Sequence, residues 1–473
     1  MTIGEIVYDL HMKIAHVVAT FPPHIGGMGQ VVWDEVKALA ERGHEVTVFT
    51  LQYPGFSYSE SQQINCHSDD EGGISGSITN NRTIEPLNQT EIPRRPPGLA
   101  RDDKLNVFRL RPLIKSGDAG LVPQLFFKLK NFDVVHLHYP WYGGAEWVWL
   151  WSKLKRKKYV LTYHMDAAPV STFKRSVQKV YDKLIAPRIL RGAVKILVVN
   201  PHLGGADSRP LEGASRGCEP LAWPTANQPT SDAKDLHPPE HPLGRPPRGG
   251  ISRRVIELSN PIDTKVFKPS DERANDLGLP PEWNNKPILL FVGNLMPVKR
   301  LDLLVEALAQ LVTPPSQGGS RGVLDVRLLV VGGGYEEARY KKMVQEKGWN
   351  DHIQFVGRVN DKQKLAKYYN CSTATVVPSD AESFSLVTIE SLACGTPVVG
   401  SDIPGIQGRI KNGEDGFLFT PGSVESLVEM IKKILSMSPE ERKQMGERGR
   451  IKVLEKYGME NHVQQLEKIY QSF

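Results

Sequence analysis

The pattern of apolar and polar positions opens with a strand, a loop, a helix and a second strand. Residues 13–20 form an apolar run typical of a buried strand, and a loop rich in Gly and Pro follows at 21–27. Residues 28–42 repeat apolar positions at helical spacing, and 44–51 return to an apolar strand pattern. This order indicates the beginning of a parallel α/β sheet.

Two successive series of such elements follow the chain. In the first series, further strands are predicted at 107–110, 133–138, 159–163 and 195–200. The second series begins with a strand from residue 287 and a helix over 301–311. Its later strands are predicted at 326–331, 353–356, 374–377, 397–400 and 416–419. The sequence therefore predicts the α/β class, with two tandem Rossmann-like domains of mostly parallel sheet.

These series set the expected domain boundaries. We expect an N-terminal domain at 1–203 and a C-terminal domain at 253–458. A C-terminal helix at 459–473 is expected to pack back toward the N-terminal domain.

Two polar segments fit neither sheet. Residues 204–250 hold 16 Gly or Pro in 47 positions and few aliphatic residues, which is typical of low-complexity or disordered chain. We therefore expect two long surface insertions, a polar one at 55–104 within the first domain and a Pro/Gly-rich one at 204–252.

Composition narrows the class of protein. The 473 residues, 40% hydrophobic and 24% charged, supply more than one core, which excludes collagenous and wholly disordered proteins. Four cysteines without a close pair indicate neither a disulfide framework nor a zinc ribbon. The first 20 residues fit no signal peptide, and no apolar run reaches the ~18 residues of a membrane-spanning helix. We expect a cytoplasmic protein.

Positive charge concentrates in one segment. The formal net charge is +6, whereas residues 128–191 hold 13 Lys and Arg against 4 Asp and Glu. Four tryptophans between 141 and 151 precede the cationic run 153–158. Such a surface can attract the phosphates of an anionic membrane, of nucleic acid or of a small substrate. It can equally be a solvated helix face whose cations suit the helix C-terminus.

The strongest chemical signal lies at residues 378–401. Glu382 follows a predicted strand, and Glu390 lies on the next helix, whose first residues leave backbone N–H groups unpaired. A helix start between two carboxylates can hold a diphosphate on its amides while each carboxylate accepts hydrogen bonds from sugar hydroxyls. Such a site suits a nucleotide sugar, with a ribose at one end and a hexose at the other.

This segment resembles the Glu-x7-Glu motif of retaining glycosyltransferases of family 4. The resemblance covers most of residues 13–473 apart from the two insertions, and it implies the GT-B fold of two facing Rossmann-like domains. It implies that Glu382 contacts the donor sugar and that Glu390 binds the nucleotide ribose. It also implies that three backbone amides approach the sugar and diphosphate, those of Phe384, Ser385 and Leu386.

A cationic turn matches another part of the family's pattern. Residues 291–300 resemble the element that holds the donor diphosphate, which implies that Lys299 is a charge-assisted partner of the phosphates. The family usually has Arg directly after the glycine of this loop, where this chain has Asn294. Arg300 is then the candidate for the second phosphate contact. Both cations can otherwise be ordinary surface charges.

Three glycine-containing loops resemble further parts of the donor site. Residues 22–31 resemble the family's Gly-Gly loop at the interdomain cleft, where Gly27 lets the backbone approach a ligand, although glycine there also suits a tight turn. The loop with Gly357 and Val359 resembles the one whose backbone recognises the base. The loop with Gly405 resembles the one beside the donor sugar.

Histidines near the strand ends complete the candidate site. His164 lies in an element that resembles one bordering the sugar or acceptor, where a neutral imidazole can donate to a hydroxyl or position the leaving phosphate. His136 and His138 share one face of a predicted strand. No third ligand follows at a suitable spacing and no Asp-x-Asp follows a strand. We therefore interpret the pair as polar residues lining the cleft and expect neither a metal nor another cofactor.

The resemblance thus implies a retaining hexosyltransferase with Glu382, His164 and Lys299 as catalytic residues. It would use a front-face route without a protein nucleophile. The expected partners are a nucleotide diphosphate sugar, a hydroxyl acceptor such as a lipid, polyol or glycan, and an anionic surface on the inner face of the cell membrane, through 128–191. No nucleic acid is expected.

Other functions stay open. The first is a basic protein that binds membrane or nucleic acid on an α/β scaffold, and the second is a GT-B-like phosphorylase or epimerase. A glycoside hydrolase using Glu382 and Glu390 is disfavoured, because hydrolases place their carboxylates across an open sugar site rather than on a helix behind a phosphate-type loop.

Overall fold

The computed structural model describes residues 11–22, 27–53, 61–65, 104–164, 180–200, 254–272, 274–312 and 324–472. Two separate sheets of largely parallel strands confirm the predicted tandem α/β architecture. Each sheet packs against apolar side chains on both faces. This explains why the strands are almost continuously apolar in sequence instead of alternating.

The first sheet contains eight strands. Their bounds are β1 Lys13–Val17, β2 Glu45–Leu51, β3 Ser61–Asn65, β4 Lys104–Leu110, β7 Val134–Tyr139, β8 Val160–Tyr163, β9 Lys195–Val198 and β10 Val255–Glu257. The spatial order is β10-β9-β8-β7-β1-β2-β4-β3, and only β3 and β4 pair antiparallel. A short hairpin of β5 (Lys115–Ser116) and β6 (Ala119–Gly120) lies apart from this sheet.

The second sheet contains six parallel strands. Their bounds are β11 Ile288–Val292, β12 Arg327–Val331, β13 Ile353–Gly357, β14 Ala374–Val377, β15 Val398–Ser401 and β16 Gly416–Phe419. The spatial order is β13-β12-β11-β14-β15-β16. The order reverses between β11 and β14, and ligands of open α/β sheets bind at such a switch point.

Helices connect the strands. Their bounds are α1 Gly27–Glu41, α2 Leu125–Lys128, α3 Ala145–Lys155, α4 Ala186–Gly192, α5 Leu301–Val312, α6 Glu337–Glu346, α7 Lys362–Asn370, α8 Leu386–Ala393, α9 Pro404–Gln407, α10 Val424–Ser436, α11 Pro439–Tyr457 and α12 Met459–Gln471. Short 3-10 turns occur at Ala274–Leu277, Pro281–Trp283 and Pro297–Lys299.

The structure corrects two predicted boundaries. The sequence places 55–104 outside both sheets, but Ser61–Asn65 pairs with β4 and extends the first sheet. The predicted boundary at residue 253 assigns Val255–Glu257 to the second domain, whereas this strand pairs with β9 of the first. Both are short strands at sheet edges, where one partner strand suffices and no apolar run is needed. The predicted Pro/Gly-rich insertion at 204–252 lies outside the described residues.

The helix α12 follows the second domain in sequence but packs on the first. Val463 and Leu466 join Val36 of α1 in one apolar cluster with β1, β7 and β8. At its edge Arg42 donates to Glu467 at 2.8 Å and to Glu460 at 2.7 Å. The chain therefore crosses back to the N-terminal domain after α11.

The carboxyl ends of the two sheets face each other. Asn200, which follows β9, donates through Nδ2 to the carbonyl oxygen of Ser383 at 2.9 Å and to that of Pro404 at 3.3 Å. Ser383 follows β14 and Pro404 follows β15. The first domain therefore meets the second at the loops in which the sequence places the donor sugar.

Candidate functional site

The turn before α5 and the loop after β14 bring Lys299 and Glu382 together. Nζ of Lys299 donates to Oε1 of Glu382 at 2.6 Å, and Oγ of Ser379 donates to the same oxygen at 2.9 Å. Both charged side chains are partly buried, which makes this charge-assisted contact stronger than a solvent-exposed ion pair. Two of the three residues predicted to be catalytic therefore lie in direct contact.

Arg300, the next residue, is bound by two carboxylates. Its backbone is left-handed, with φ of 48°, and its guanidinium contacts Asp302 at 3.2 Å and Asp380 at 3.1 Å. These partners already compensate its charge. The side chain of Asn294 accepts a hydrogen bond from Nη2 of Arg358 at 3.3 Å. Arg358 is therefore a further cation beside this loop, and the sequence reasoning missed it.

The start of α8 has no side-chain cap from the described residues. Ser385 is the N-cap with φ of 60°, and its Oγ bonds Oγ1 of Thr388 at 2.8 Å instead of capping the backbone. Amides of the first turn, from Leu386 onward, therefore have no side-chain acceptor there. The ring of Phe384 is buried beneath the guanidinium of Arg409, so only the backbone of Phe384 can serve a ligand.

Glu390 on α8 is oriented by a tyrosine of α7. The hydroxyl of Tyr369 donates to Oε2 of Glu390 at 2.7 Å. Burial raises the pKa of Glu390, while this hydrogen bond and the charge of Lys362 act in the opposite direction. Sequence reasoning missed Tyr369, because a buried aromatic residue on an amphipathic helix is indistinguishable from core.

Glycines near this site have different local explanations. A Cβ at Gly405 would overlap the carbonyl oxygen of Glu382, so only glycine allows the two loops to touch. Gly357 has φ of 85°, which a side chain disfavours, and Val359 beyond it is partly buried. Gly27 is the exposed first residue of α1 with open space beside it. Among the described residues, no hydrogen bond joins Gly27, Gly357 or Val359 to Lys299 or Glu382.

His164 lies directly after β8 and is buried. Its backbone N–H donates to the carbonyl oxygen of Tyr139 at 3.0 Å, and its Nε2 lies 2.9 Å from Nδ1 of His138. Burial lowers the pKa of His164 to about 4, so the ring is neutral at neutral pH. No contact in the described parts of the chain joins His164 to Lys299 or Glu382.

His164 belongs to a buried group that we call the histidine cluster. Its members come from the sheet, from α1 and from α12, and they are His16, His136, His138, His164, Glu35, His462 and Tyr470. On the sheet, alternation sends the four histidines to one face, whose other side chains are mainly apolar. His136 bonds the hydroxyls of Tyr470 at 2.7 Å and Thr162 at 2.6 Å.

The cluster also tests the predicted absence of a third metal ligand. His16 and Glu35 join His136 and His138, and their ligand atoms lie within 4.8 Å of one another. Spacing along one strand could not show this, because the added ligands come from β1 and α1. Both ring nitrogens of His136 and of His138 already have hydrogen-bond partners. Hydrogen bonds therefore occupy these two rings, whereas Nε2 of His16 and Oε2 of Glu35 have no hydrogen-bond partner among the described residues, and the expected lack of a cofactor stays a prediction.

A second contact between the domains lies near Glu390. Nζ of Lys362 on α7 donates to both oxygens of Asp34 on α1 at 2.6 Å. Burial raises the pKa of Asp34, and the charge of Lys362 opposes that rise. The sequence contains no signal for this pair, because its members are 328 residues apart.

The described part of 128–191 presents its cations on the surface, whereas two of its four tryptophans are buried. Residues 153–158 are all exposed. Trp141 and Trp151 are buried, so they belong to the core rather than to the cationic surface expected from the sequence. The exposed apolar side chains of this domain include Phe127 and Leu154. None of the described helices combines the length and the apolar character that crossing a membrane requires.

Two family models match the chain, one in each domain. Residues 25–204 match the model described as Glycosyltransferase Family 4, and residues 280–452 match the model described as Glycosyl transferases group 1. The second match contains the Lys299–Glu382 contact, Glu390 and Gly405.

The curated relatives align with only part of this chain. D-inositol 3-phosphate glycosyltransferase 2 of Catenulispora acidiphila is 36% identical over 173 residues, which are 36% of this chain and 40% of that protein. N-acetyl-alpha-D-glucosaminyl L-malate synthase of Bacillus anthracis is 30% identical over 221 residues, 46% of this chain and 54% of that protein. The aligned segments thus span about half or less of these relatives.

Solved structures match over nearly the whole chain. Sucrose-phosphate synthase from Thermosynechococcus elongatus has a TM-score of 0.64 and 22% identity, with 98% of each chain covered. Anabaena Alr3699/HepE in complex with UDP has a TM-score of 0.65 and 16% identity, with 98% and 100% covered. At these identities the likeness shows the fold. The two facing Rossmann-like domains are those of the GT-B class.

Sequence and fold together give the family. The two matched regions lie on either side of the facing strand ends. The chain belongs to the glycosyltransferases of family 4.

Proposed function

We propose that this protein is a glycosyltransferase that moves a hexose from a nucleotide diphosphate sugar to a hydroxyl group of an acceptor. The observation that carries the proposal is the contact between Lys299, in the turn before α5, and Glu382, in the loop that leads into α8. The contact joins a cation to a carboxylate of the loop that leads into α8, and the first amides of α8 lack a side-chain cap. A diphosphate needs the cation and the amides, and sugar hydroxyls need the carboxylate.

The names of similar proteins support this choice. Two partial relatives are named as a D-inositol 3-phosphate glycosyltransferase and an N-acetyl-alpha-D-glucosaminyl L-malate synthase. The Anabaena protein of the same fold was solved with UDP, with UDP and glucose, and with UDP-glucose. A nucleoside diphosphate is therefore the ligand class to test first.

Each site residue receives a role under this proposal. Lys299 and the amides near Ser385 stabilise the charge of the departing diphosphate. Glu382 binds the donor sugar, Glu390 binds the ribose, and His164 borders the acceptor. The remaining contacts to the donor are assigned to backbone at Gly27, Gly357, Val359, Phe384, Leu386 and Gly405, with Arg300 as a further cation.

We also propose that transfer retains the anomeric configuration and requires no divalent metal. Oε1 of Glu382 already accepts hydrogen bonds from Lys299 and Ser379, which stabilise the carboxylate and weaken it as a nucleophile. This favours sugar binding by Glu382 over covalent attack. Lys299 supplies a positive charge at the position where a metal would otherwise neutralise phosphate.

A thermal-shift experiment tests the donor site. The chain is heated with the diphosphates of uridine, guanosine, adenosine and thymidine and with their hexose conjugates, with and without EDTA. We expect a selective rise in melting temperature that survives EDTA, because ligands that bind the native state stabilise it. A shift that requires added metal would contradict metal independence, and no shift with any nucleotide would contradict the proposed function.

Variants separate the two glutamates. Glu390→Ala should abolish the nucleotide shift, whereas Glu382→Ala should keep the shift and lower turnover. Glu429→Ala on the exposed face of α10 is the matched control and should behave like the unaltered chain. Equal, unaltered behaviour of Glu382→Ala and Glu390→Ala would refute the assignment. Product NMR then reads the anomeric configuration, and release of inorganic phosphate or conversion without acceptor would indicate a phosphorylase or an epimerase.

We propose further that the protein associates peripherally with the inner face of the cell membrane. The exposed cations within 153–158 support attraction to anionic lipid, and the exposed apolar side chain of Leu154 lies between them in sequence. Reversing four of them to Glu should abolish binding to phosphatidylglycerol vesicles: Lys155, Arg156, Lys157 and Lys158. The control reverses four exposed lysines of the second domain, Lys342, Lys347, Lys364 and Lys443. Unchanged vesicle binding, or preferential binding of DNA or RNA, would contradict the proposal.

A further inference from the structure

Three buried imidazoles form a hydrogen-bonded series that ends at the candidate acceptor site. Nε2 of His164 lies 2.9 Å from Nδ1 of His138, and Nε2 of His138 lies 2.9 Å from Nδ1 of His16. All three rings are buried. Burial lowers the pKa of His16 and of His164 to about 4 and that of His138 well below its ordinary value, so all three are neutral at neutral pH.

A series of neutral imidazoles has only two hydrogen arrangements. Each neutral ring carries hydrogen on one nitrogen and a lone pair on the other, and each contact needs one donor and one acceptor. In the first arrangement, His16, His138 and His164 all carry hydrogen on Nε2. In the second they all carry it on Nδ1. The tautomer at one end therefore determines the tautomer at the other.

Glu35 lies beside the middle ring of this series. Nε2 of His138 is 3.9 Å from Oε2 of Glu35, and both Oε2 and Nε2 of His16 are buried without a partner among the described residues. Burial opposes ionisation of Glu35, but the hydrogen bond from His462 acts in the opposite direction, and the pKa of Glu35 is lowered to about 2. Glu35 is therefore a carboxylate.

A carboxylate discriminates between the two arrangements. With hydrogen on Nδ1, the lone pair on Nε2 of His138 would face the negative oxygen of Glu35, which is unfavourable in a low-dielectric core. With hydrogen on Nε2, His138 presents a positive N–H edge to that oxygen. The other neighbours do not compete for these nitrogens, because His136 bonds Tyr470 and Thr162 and His462 bonds Oε1 of Glu35 and the carbonyl oxygen of Ser259.

We infer that Glu35, acting through His16 and His138, fixes His164 in the tautomer that carries hydrogen on Nε2 and a lone pair on Nδ1. His164 then accepts a hydrogen bond from a sugar or acceptor hydroxyl and cannot donate one through Nδ1. Glu35, His16 and His138 are therefore positioning residues, which act on the hydroxyl only by setting the tautomer of His164. The role toward a hydroxyl rests on the proposed function, whereas the tautomer itself does not.

The first test uses the unaltered full chain and requires no substrate. In a chain labelled with 15N-histidine, the shift of each ring nitrogen reports whether it carries hydrogen, and His16→Asn and His164→Asn chains assign the signals. We expect hydrogen on Nε2 of His16, His138 and His164. Hydrogen on Nδ1 of His164 would overturn the inference. Hydrogen on Nε2 in a protein that binds no nucleotide would leave the tautomer assignment intact and refute the proposed function.

The second test removes the charge of Glu35. In Glu35→Gln we expect a signal from hydrogen on Nδ1 of His164, a fall in kcat of at least about tenfold, and a donor KM unchanged within about twofold. Glu467→Gln is the matched control, because Glu467 also bonds a histidine, His44 at 2.9 Å, but lies outside the series. It should change neither the tautomers nor kcat. Unchanged tautomers in a folded Glu35→Gln chain would contradict the inference, and the unaltered-chain measurement decides it if that variant does not fold.

Discussion

Tyr369 holds the carboxylate on which nucleotide binding is proposed to depend. Tyr369→Phe removes the 2.7 Å hydrogen bond to Glu390 and leaves the packing of the ring unchanged. Because a hydrogen bond to a charged group contributes about 1.5 to 3 kcal/mol, we expect nucleoside diphosphate affinity to fall by roughly tenfold or more. Calorimetric titration measures this loss. Tyr368→Phe, on the same helix, is the control and should bind like the unaltered chain.

Two adjacent cations should differ in importance. Lys299 contacts Glu382 alone among carboxylates in the described part of the chain, whereas Asp302 and Asp380 already compensate Arg300. We expect Lys299→Gln to lower kcat by about 100-fold, as loss of an electrostatic stabiliser of the transition state does. Arg300→Gln should lower it by less than about fivefold. Steady-state kinetics with one nucleotide sugar compares them, and a larger loss in Arg300→Gln would reverse the assignment.

Buried histidines make stability depend on pH in a defined direction. The pKa of His16 and of His164 is about 4 in the folded chain, below the ordinary value of 6.5, because burial disfavours the charged ring. Between these values the unfolded chain binds more protons, so the free energy of unfolding should fall as pH is lowered from about 6.5 to about 4. Urea unfolding across this range should show a shallower slope of the free energy of unfolding against pH for His16→Asn than for the unaltered chain.

At the residue scale, the sequence shows candidate site residues where those residues lie close together along the chain. Glu382 and Glu390 stand on one strand-to-helix segment, so their spacing is visible in the chain. The partners of those residues come from elsewhere: Lys299 was found through its own motif, but Tyr369 was not. Glu35 is likewise hidden, because a single glutamate on an amphipathic helix gives no sign that it faces histidines of β1 and β7.

At the scale of elements, α1 and α7 are joined across the domains by Asp34 and Lys362. Removing only Lys362 leaves a partly buried carboxylate unpaired, which is more costly than removing both charges. We therefore expect Lys362→Gln to destabilise the chain by about 1 to 3 kcal/mol and the double variant with Asp34→Asn to recover part of that loss. Urea unfolding of the unaltered chain, the two single variants and the double variant measures the coupling free energy between Asp34 and Lys362. Additive losses would show that the pair contributes nothing of its own.

The predicted elements were right where both faces of a strand are buried. Strands such as β11, β14 and β16 are continuous apolar runs, and the structure places them within one or two residues of the expected positions. The edge strands β3 and β10 were missed, because a strand with one neighbour needs few apolar side chains. Their pairing depends on backbone groups of β4 and β9, which the hydrophobic pattern does not report.

At the scale of the whole molecule, the N-terminal domain is completed by the last helix. Residues of α12 fill the apolar face over β1 and α1, and His462 and Tyr470 bond Glu35 and His136. Ending the chain at residue 458 should therefore lower its free energy of unfolding by several kcal/mol. The first domain should be the part that is destabilised. Hydrogen exchange should show faster exchange in β1 and β7 but not in β11 or β14. Equal effects in both sheets would contradict this expectation.

The return of the chain to the first domain after α11 determines the order in which the protein completes its packing during biosynthesis. Because translation proceeds from the N-terminus, the helix α1 leaves the ribosome roughly four hundred residues before α12 does. Translation adds about 5 to 20 residues per second. During that interval the face of the nascent first domain that α12 will cover stays open to water, so the domain that is translated first acquires its final packing last. A nascent chain arrested before residue 459 would present this apolar face to chaperones, and release of the last helix would end that exposure.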